Sequence, residues 1–170
     1  MVDILTGESG DNGQPWRNIQ GLQASVLGGM SLAFLDPKRV VVEGELPSGT
    51  IHRAEIQICS SASLLAMKGI SIHERKDAAD KDAIDIDYIL RRYPGGHLAL
   101  ARVFQTVHYA ENELVNEGLR GIDKAFRSLD SLGPVSIASP ARYPSEEERD
   151  IVRQGAFQRA RRFLRELGYL

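Results

Sequence analysis

The sequence predicts an α+β fold, with a partial antiparallel or mixed sheet in the first third of the chain and a helical bundle after it. One observation behind this prediction is the alternation of apolar and polar residues in segments 39–45 and 50–58, which is the period of a half-buried strand. The other is a change of pattern after those segments, where apolar residues recur every three or four positions as in amphipathic helices. The 170 residues are therefore expected to form a single domain, with the sheet in residues 1–58 and the helices in residues 59–170.

Composition and charge exclude several classes of protein. The hydrophobic fraction of 42% and the charged fraction of 26% are ordinary for a globular domain. With 21 basic against 23 acidic residues, no overall field draws the chain to nucleic acid or to a membrane. The single cysteine, Cys59, excludes an internal disulfide and a cysteine-built zinc site, and its place after an apolar strand predicts a small buried side chain. No signal peptide and no long apolar stretch is present, so a cytoplasmic location is expected.

The strand predictions follow from alternation and from turn residues. Residues 1–5 alternate and predict a strand, residues 7–20 are rich in turn residues and predict a loop, and residues 22–27 predict a short strand. Segments 39–45 and 50–58 are joined by Leu-Pro-Ser-Gly, a good turn sequence, and predict a hairpin with one face in solvent.

Helical periodicity covers most of the remaining chain. The predicted helices span residues 61–74, 78–93, 97–109, 110–128 and 145–167, with residues 132–142 as a linker. Ser145 and Glu148 form a capping box at the start of the last helix. Arg161, Arg162 and Arg165 are interpreted as a solvated basic face near its C-terminus, with contact to an RNA backbone as the alternative.

The first two helices place charges where apolar residues are expected. At 100° per residue, Lys68 and Arg75 lie within about 40° of Leu64, inside the apolar arc of the first helix. An unpaired buried charge costs several kcal/mol, so these cations need anions. The second helix offers Asp82 and Asp85 on one flank of its apolar stripe. We expect the two cations to face the two carboxylates.

This charge cluster has two interpretations that the pattern alone leaves open. It is either a structural group of buried ion pairs that locks two helices together, or a phosphate-binding cation oriented by carboxylates. Lys81 adds a further cation that can pair with Asp85 at i,i+4.

A different secondary structure for residues 84–88 would change the chemistry. Their strict alternation on a strand would place Asp85 and Asp87 on one face, as a metal-chelating Asp-x-Asp pair. On a helix the two side chains point about 200° apart and cannot share an ion. The surrounding alanines and interleaved charges favour the helix.

The charged positions, taken together, resemble a known family. Lys68, Arg75, the run Lys-Asp-Ala-x-Asp-Ile at 81–86 and the run Ile-Leu-Arg-Arg-Tyr-Pro-Gly-Gly at 89–96 look like the C-terminal part of the AbiEii/AbiGii-type nucleotidyltransferases. These belong to the DNA polymerase beta-like nucleotidyltransferase superfamily and include many toxins of toxin–antitoxin systems. The resemblance covers residues 1–96 well and the later helices loosely, and it implies that the sheet is part of a nucleotidyltransferase palm.

The resemblance implies a role for each charged residue of the cluster. Lys68 is expected to contact the triphosphate of a nucleotide, and Asp82 or Asp85 to help form the catalytic site around it. Arg75 and Lys81 are expected to be additional nucleotide-binding cations.

The family's metal site predicts a further residue and a cofactor. Asp3, in an apolar-Asp-apolar segment, corresponds to the third metal-binding carboxylate of the palm, although an exposed aspartate on an edge strand has the same pattern. The implied cofactors are Mg²⁺ and a nucleoside triphosphate. Asp87 stands where the family more often has an aromatic residue, so its presence is interpreted as incidental.

The family's first two metal-binding carboxylates have no counterpart. They come from a Gly-Ser turn followed by Asp-x-Asp on a strand, whereas Gly28-Gly29 is followed only by Asp36-Pro37. The resemblance thus predicts the back half of an active site. The chain is then a degenerate relative, a subunit completed by another chain, or a sequence whose true start lies upstream.

Two functions are therefore expected as alternatives. The first is a nucleotidyltransferase-like protein that transfers a nucleoside monophosphate, with RNA as a possible acceptor, only when a partner chain completes it. The second is a non-catalytic binding or regulatory module, similar to an antitoxin, on the same scaffold. An incomplete sheet leaves an exposed edge, which predicts a homodimer or a completing or antitoxin partner. An open cleft beside Lys68 favours the first function, and a closed cluster favours the second.

Overall fold

The computed structural model of the protein describes residues 5–6, 16–26, 28–74 and 79–169, and it confirms the predicted α+β class. The strands are β1 (Leu5–Thr6), β2 (Trp16–Ile19), β3 (Leu22–Val26), β4 (Lys38–Glu45) and β5 (Ile51–Ile58). The helices are α1 (Ser61–Glu74), α2 (Ala79–Arg92), α3 (Gly96–Phe104), α4 (Val107–Ala110), α5 (Glu113–Ala125), α6 (Leu132–Ile137) and α7 (Glu146–Glu166), with a 3-10 helix at Met30–Phe34.

A small mixed sheet contains the first three strands in the order β1-β3-β2. β1 is parallel to β3, and β2 is antiparallel to it. The strand predicted for residues 1–5 lies outside the described residues except for its last position. The loop predicted for residues 7–20 is wrong at its end, because β2 occupies residues 16–19.

β2 forms because of the turn that follows it. Gln20 and Gly21 both have positive φ, 52° and 84°, as a two-residue hairpin turn of type I′ requires. The side chain of Asn18 accepts a hydrogen bond from the backbone N–H of Gly21 at 2.8 Å and closes the turn. The glycine between Ile19 and Leu22 is the sequence signal for this hairpin.

β4 and β5 form the predicted antiparallel hairpin. Their register runs from Lys38 opposite Ile58 to Glu45 opposite Ile51, and Gly49 completes the turn with φ of 81°. The face with Val40, Val42, Ala54, Ile56 and Ile58 is mostly apolar, whereas the other face carries most of the charges. A hairpin with one face in solvent should bury its other, apolar face. Here the apolar face is itself partly in solvent, because Val42, Ile56 and Ile58 are 44%, 41% and 44% exposed. Within the described chain, no other element covers it to the usual extent.

The helical predictions hold best where periodicity and caps agree. α1 has the predicted bounds, and residues 84–88 are helical, so the strand alternative for them is wrong. The helix predicted for residues 97–109 is divided after Phe104, because Thr106 is in the β conformation as the N-cap of α4. α5 begins after Asn112, whose side chain caps it. The predicted linker contains α6, which packs on α2.

The core belongs almost entirely to the helices, and α1 lies at its centre. α1 packs against α5, α2 and the 3-10 helix. The fully buried large side chains come mainly from these elements and from α7, namely Leu32, Leu65, Ile72, Ile86, Leu100, Val115, Ile122, Phe126, Phe163 and Leu164.

Glycines bring α1 and α5 into backbone contact. A Cβ on Gly69 would fall on the carbonyl oxygen of Gly118, and a Cβ on Gly121 would fall on the carbonyl oxygen of Gly69. A Cβ on Gly118 would lie 2.8 Å from the carbonyl carbon of Ala66. We call the contact of Ala66 and Gly69 with Gly118 and Gly121 the glycine seam.

Ionic contacts attach α7 to the rest of the bundle. Arg159 Nε donates to Asp87 of α2 at 2.7 Å, and Arg161 Nη1 donates to Asp123 of α5 at 2.5 Å. The interpretation of Arg161 as part of a solvated basic face is therefore wrong, since its side chain is only 15% exposed. At the start of α7, the Ser145 half of the predicted capping box is present, because its Oγ accepts from the backbone N–H of Glu148 at 3.4 Å.

Candidate functional site

The structure brings together three of the predicted site residues. Lys68 Nζ lies 2.7 Å from Asp82 Oδ1 and 2.6 Å from Asp85 Oδ2, so one ammonium group of α1 bridges two carboxylates of α2. The three groups differ in exposure. The side chain of Lys68 is 20% exposed, that of Asp82 is 1% exposed, and that of Asp85 is 41% exposed.

Ser71 completes the group and was missed by the sequence reasoning. Its Oγ donates to Asp82 Oδ2 at 2.8 Å, so each carboxylate oxygen of Asp82 has a partner. Ser71 lies three residues after Lys68 and therefore on the same face of α1, which is the signal that could have found it. Asp82 is thus buried and held from two sides, whereas Asp85 has a water-facing carboxylate.

The neighbours of Lys68 determine its charge state. Burial by itself lowers the pKa of Lys68, but hydrogen bonds and charge interactions with Asp82 and Asp85 outweigh burial and raise the pKa above its ordinary value. Lys68 is accordingly a permanent cation at neutral pH.

This raised pKa predicts a specific pH dependence of stability. Because the folded-state pKa lies above the ordinary value of 10.5, the contribution of Lys68 is fully present below that value and is lost as the pH rises through the folded-state pKa. We expect the difference in free energy of unfolding between the wild type and Lys68→Met to be constant from about pH 7 to 9 and to shrink above about pH 10.5. Urea unfolding at each pH measures this difference. A decrease that begins well below pH 9 would contradict the assignment.

A cleft of about 370 Å³ opens beside Lys68. Lys68 and Ser71 contribute its polar part. Its other lining residues are mostly apolar, namely Leu5, Gly28, Met30, Ala33, Cys59, Leu64 and Met67. The cation therefore lies at the border of an open and otherwise apolar depression, and is not enclosed on all sides.

Cys59 differs from its prediction as a buried hydrophobe. Its side chain is half-buried and lines the cleft. Burial raises the pKa of the Cys59 thiol, which makes it a slow nucleophile at neutral pH. The same position makes it a chemical reporter of whether the cleft is occupied.

The other predicted site residues lie elsewhere or outside the described residues. Asp3 and Arg75 belong to the latter group. Lys81 is exposed on α2. Its predicted partner, the carboxylate of Asp85, contacts Lys68.

Asp87 was interpreted as incidental, and this is wrong. It is 4% exposed and accepts from Arg91 at 2.5 Å and from Arg159 at 2.7 Å. Asp87 lies four residues after Ala83 and three before Leu90, so it shares the apolar face of α2. This spacing is the sequence signal that its carboxylate is buried. Asp87 therefore has a structural role between α2 and α7.

The predicted magnesium site depends on Asp3, which lies outside the described residues. Residues 5–6, 16–26, 28–74 and 79–169 contain no group of three or more His, Cys, Asp or Glu side chains placed to hold a metal ion. The two carboxylates that meet, Asp82 and Asp85, both point to the ammonium group of Lys68, which occupies the place that a cation would take.

Comparison of the chain with models of protein families, with curated proteins and with solved structures found no match. The resemblance to nucleotidyltransferases therefore stays a prediction. Among the helices of the described residues, none has the length and apolar character to cross a membrane.

Proposed function

We propose that this protein binds the phosphate groups of a nucleotide at Lys68 and acts as a nucleotidyltransferase-like subunit whose first two metal-binding carboxylates come from another chain, with Asp3 as the third. The observation that carries the proposal is that Lys68, a cation held by a buried carboxylate, borders an open cleft. A cytoplasmic location, where nucleoside triphosphates are available, forms part of the proposal.

The unequal exposure of the two carboxylates supports phosphate binding. Lys68 with Asp82 and Asp85 has a net charge of −1, so an incoming phosphate binds most favourably when it replaces one carboxylate. Asp85 can leave because its side chain is 41% exposed and returns to water at small cost, whereas Asp82 is 1% exposed and is also bonded to Ser71. Asp82 would then position Lys68, and Asp85 would be the exchangeable partner.

The apolar lining of the cleft supports the nucleoside part of the ligand. Leu64 and Met67 on α1, with Met30 and Ala33 on the 3-10 helix, provide apolar surface next to the cation. A polar end with an apolar remainder suits a molecule with a charged tail and a planar base.

Replacing Lys68 by methionine tests this proposal directly. We expect wild type to bind a fluorescent nucleoside triphosphate analogue, and Lys68→Met to bind it at least about tenfold more weakly, because a charge-assisted hydrogen bond contributes about 1.5–3 kcal/mol. Lys38→Met, at the exposed start of β4, is the matched control and should bind as wild type does. Bound nucleotide should also slow the alkylation of Cys59. Absence of binding by wild type at millimolar nucleotide, with and without Mg²⁺, would refute the proposal.

A non-catalytic binding module is the second candidate function. The observation that favours it is that two carboxylates already neutralise Lys68 at 2.6 and 2.7 Å, as in a purely structural ion-pair cluster. Asp85→Asn separates the two functions. If phosphate competes with Asp85, this change tightens nucleotide binding; if the cluster is structural, nucleotide binding stays absent.

A further inference from the structure

The β4–β5 hairpin has a free edge whose sequence is complementary to itself. We propose that two copies of this chain pair antiparallel through β4, about Val41, and form a four-stranded sheet in the order β5-β4-β4-β5. This inference does not depend on the proposed nucleotide site.

The hydrogen-bond pattern of the hairpin determines which groups face outward. The backbone N–H of Leu46 donates to the carbonyl of Thr50 at 2.9 Å and closes the turn. In an antiparallel pair, hydrogen-bonded and non-bonded residue pairs alternate from such a closing pair. Arg39, Val41 and Glu43 therefore direct their backbone N–H and C=O groups away from β5. In the described part of the chain, β5 is the only strand paired with β4, so these groups form an open edge.

The charges along β4 match when the strand meets a second copy of itself. Pairing about Val41 places Arg39 opposite Glu43 of the second copy, and Glu43 opposite Arg39 of the second copy. Because Glu43 already has Arg53 opposite it on β5, each glutamate would lie between two arginines across the sheet. The existing ion pair of Arg39 with Glu55 at 3.2 Å is highly exposed and leaves Arg39 available.

The apolar residues match in the same register. Val41 meets Val41 of the second copy, and Val40 meets Val42, so β-branched side chains oppose each other as they do in stable sheets. Val42, Ile56 and Ile58, which are exposed in one copy, would become part of a wider apolar surface. A shift of the pairing centre to Val42 would place Val41 opposite Glu43, which is a poorer match. This comparison favours pairing about Val41.

β5 is a weaker candidate for the same contact. Self-pairing about Ala54 would match Arg53 with Glu55, but it would oppose alanine to alanine at the centre and histidine to isoleucine beside it. β4 combines the charge match with a run of three valines, and we therefore assign the contact to β4.

Charge reversal on β4 tests the pairing. In sedimentation velocity measurements over a concentration series, we expect wild type to form a dimer and Arg39→Glu or Glu43→Arg to weaken the dimer at least about tenfold, because each single change places like charges opposite each other twice. The double variant Arg39→Glu/Glu43→Arg restores both intermolecular pairs in reverse, but its new arginine at position 43 faces Arg53 within each hairpin, so it should recover the dimer in part. Arg162→Glu, which makes the same charge change on the exposed part of α7, is the control and should dimerise as wild type does.

A proline on the open edge provides a test that does not involve charge. Val41→Pro removes an N–H that faces away from β5, so the hairpin should persist by far-UV circular dichroism while the dimer is lost. A wild type that stays monomeric at hundreds of micromolar, a double variant that does not recover, or a Val41→Pro protein that still dimerises would each overturn the inference. Nucleotide binding at Lys68 should be unchanged in all these variants, so the two proposals fail separately.

Discussion

Gly118→Ala is expected to lower the free energy of unfolding by more than about 3 kcal/mol, a large fraction of the about 5–15 kcal/mol that a domain possesses. A Cβ at residue 118 would lie 2.9 Å from the Cα of Ala66 and closer still to its carbonyl oxygen. These neighbours are backbone atoms in the middle of α1, so relief requires the two helices to separate. Separation would open voids around buried residues of both helices, such as Leu65 and Ile122.

The chain contains a matched control for this substitution. Gly155 lies in the middle of α7, and a Cβ there would meet only the far end of the Arg159 side chain, at 3.0 Å. Gly155→Ala should therefore be neutral or stabilising by up to about 1 kcal/mol, since alanine has the higher helix propensity. Thermal and urea unfolding of both variants measure the contrast. Equal stabilities of Gly118→Ala and wild type would show that α1 and α5 do not approach as closely as described.

The second large effect is expected at Asp87. Asp87→Ala removes the carboxylate that Arg91 and Arg159 share and leaves a void between α2 and α7. Loss of one partner from a buried ion pair costs about 3–5 kcal/mol. The two arginine side chains are 47% and 30% exposed and can regain water, so we expect a cost below that range, about 2–3 kcal/mol.

An exposed ion pair provides the control for Asp87. Glu55→Ala also removes one negative charge from an ion pair, here the pair of Glu55 with Arg39. In that pair the side chain of Glu55 is 58% exposed and that of Arg39 is 71% exposed. We expect a change below about 1 kcal/mol for it. Asp87→Asn should fall between the two alanine variants, because it keeps the shape and one acceptor oxygen. An Asp87→Ala protein as stable as Glu55→Ala would remove the structural role that we give to this carboxylate.

Local sequence patterns predicted much of the fold, because the helices and strands concerned are determined by their own caps, turns and apolar spacing. α1 combines N-terminal serines with regular apolar spacing, and the β4–β5 hairpin combines alternation with a strong turn. β2 was missed because Gly, Asn and Pro residues before it outweighed four strand residues, and because the Gln20-Gly21 turn has a non-glycine residue at positive φ. The break between α3 and α4 depends on the extended backbone of Thr106, whose Oγ1 donates to the carbonyl of Val103 at 2.7 Å, and no helical period reveals it.

The candidate site was predictable in part. Lys68 could be placed near Asp82 and Asp85 because a cation in an apolar arc requires an anion, and helix periodicity limits where that anion lies. The difference in exposure between Asp82 and Asp85 was not predictable, since it depends on the packing of other helices around α2. The same limit applies to Asp87, whose partner Arg159 lies 72 residues away in the chain.

The glycine seam also affects the cation, because Lys68 immediately precedes Gly69 in α1. With backbone against backbone, α1 can neither rotate nor slide on α5 without collision. The backbone that carries Lys68 is therefore held in one position, and any ligand must adapt to that position of the ammonium group. A substitution at Gly118 or Gly121 that the fold survives would tilt α1 and shift the ammonium group of Lys68. These two glycines face away from the cleft, yet they would still affect which ligand binds in it.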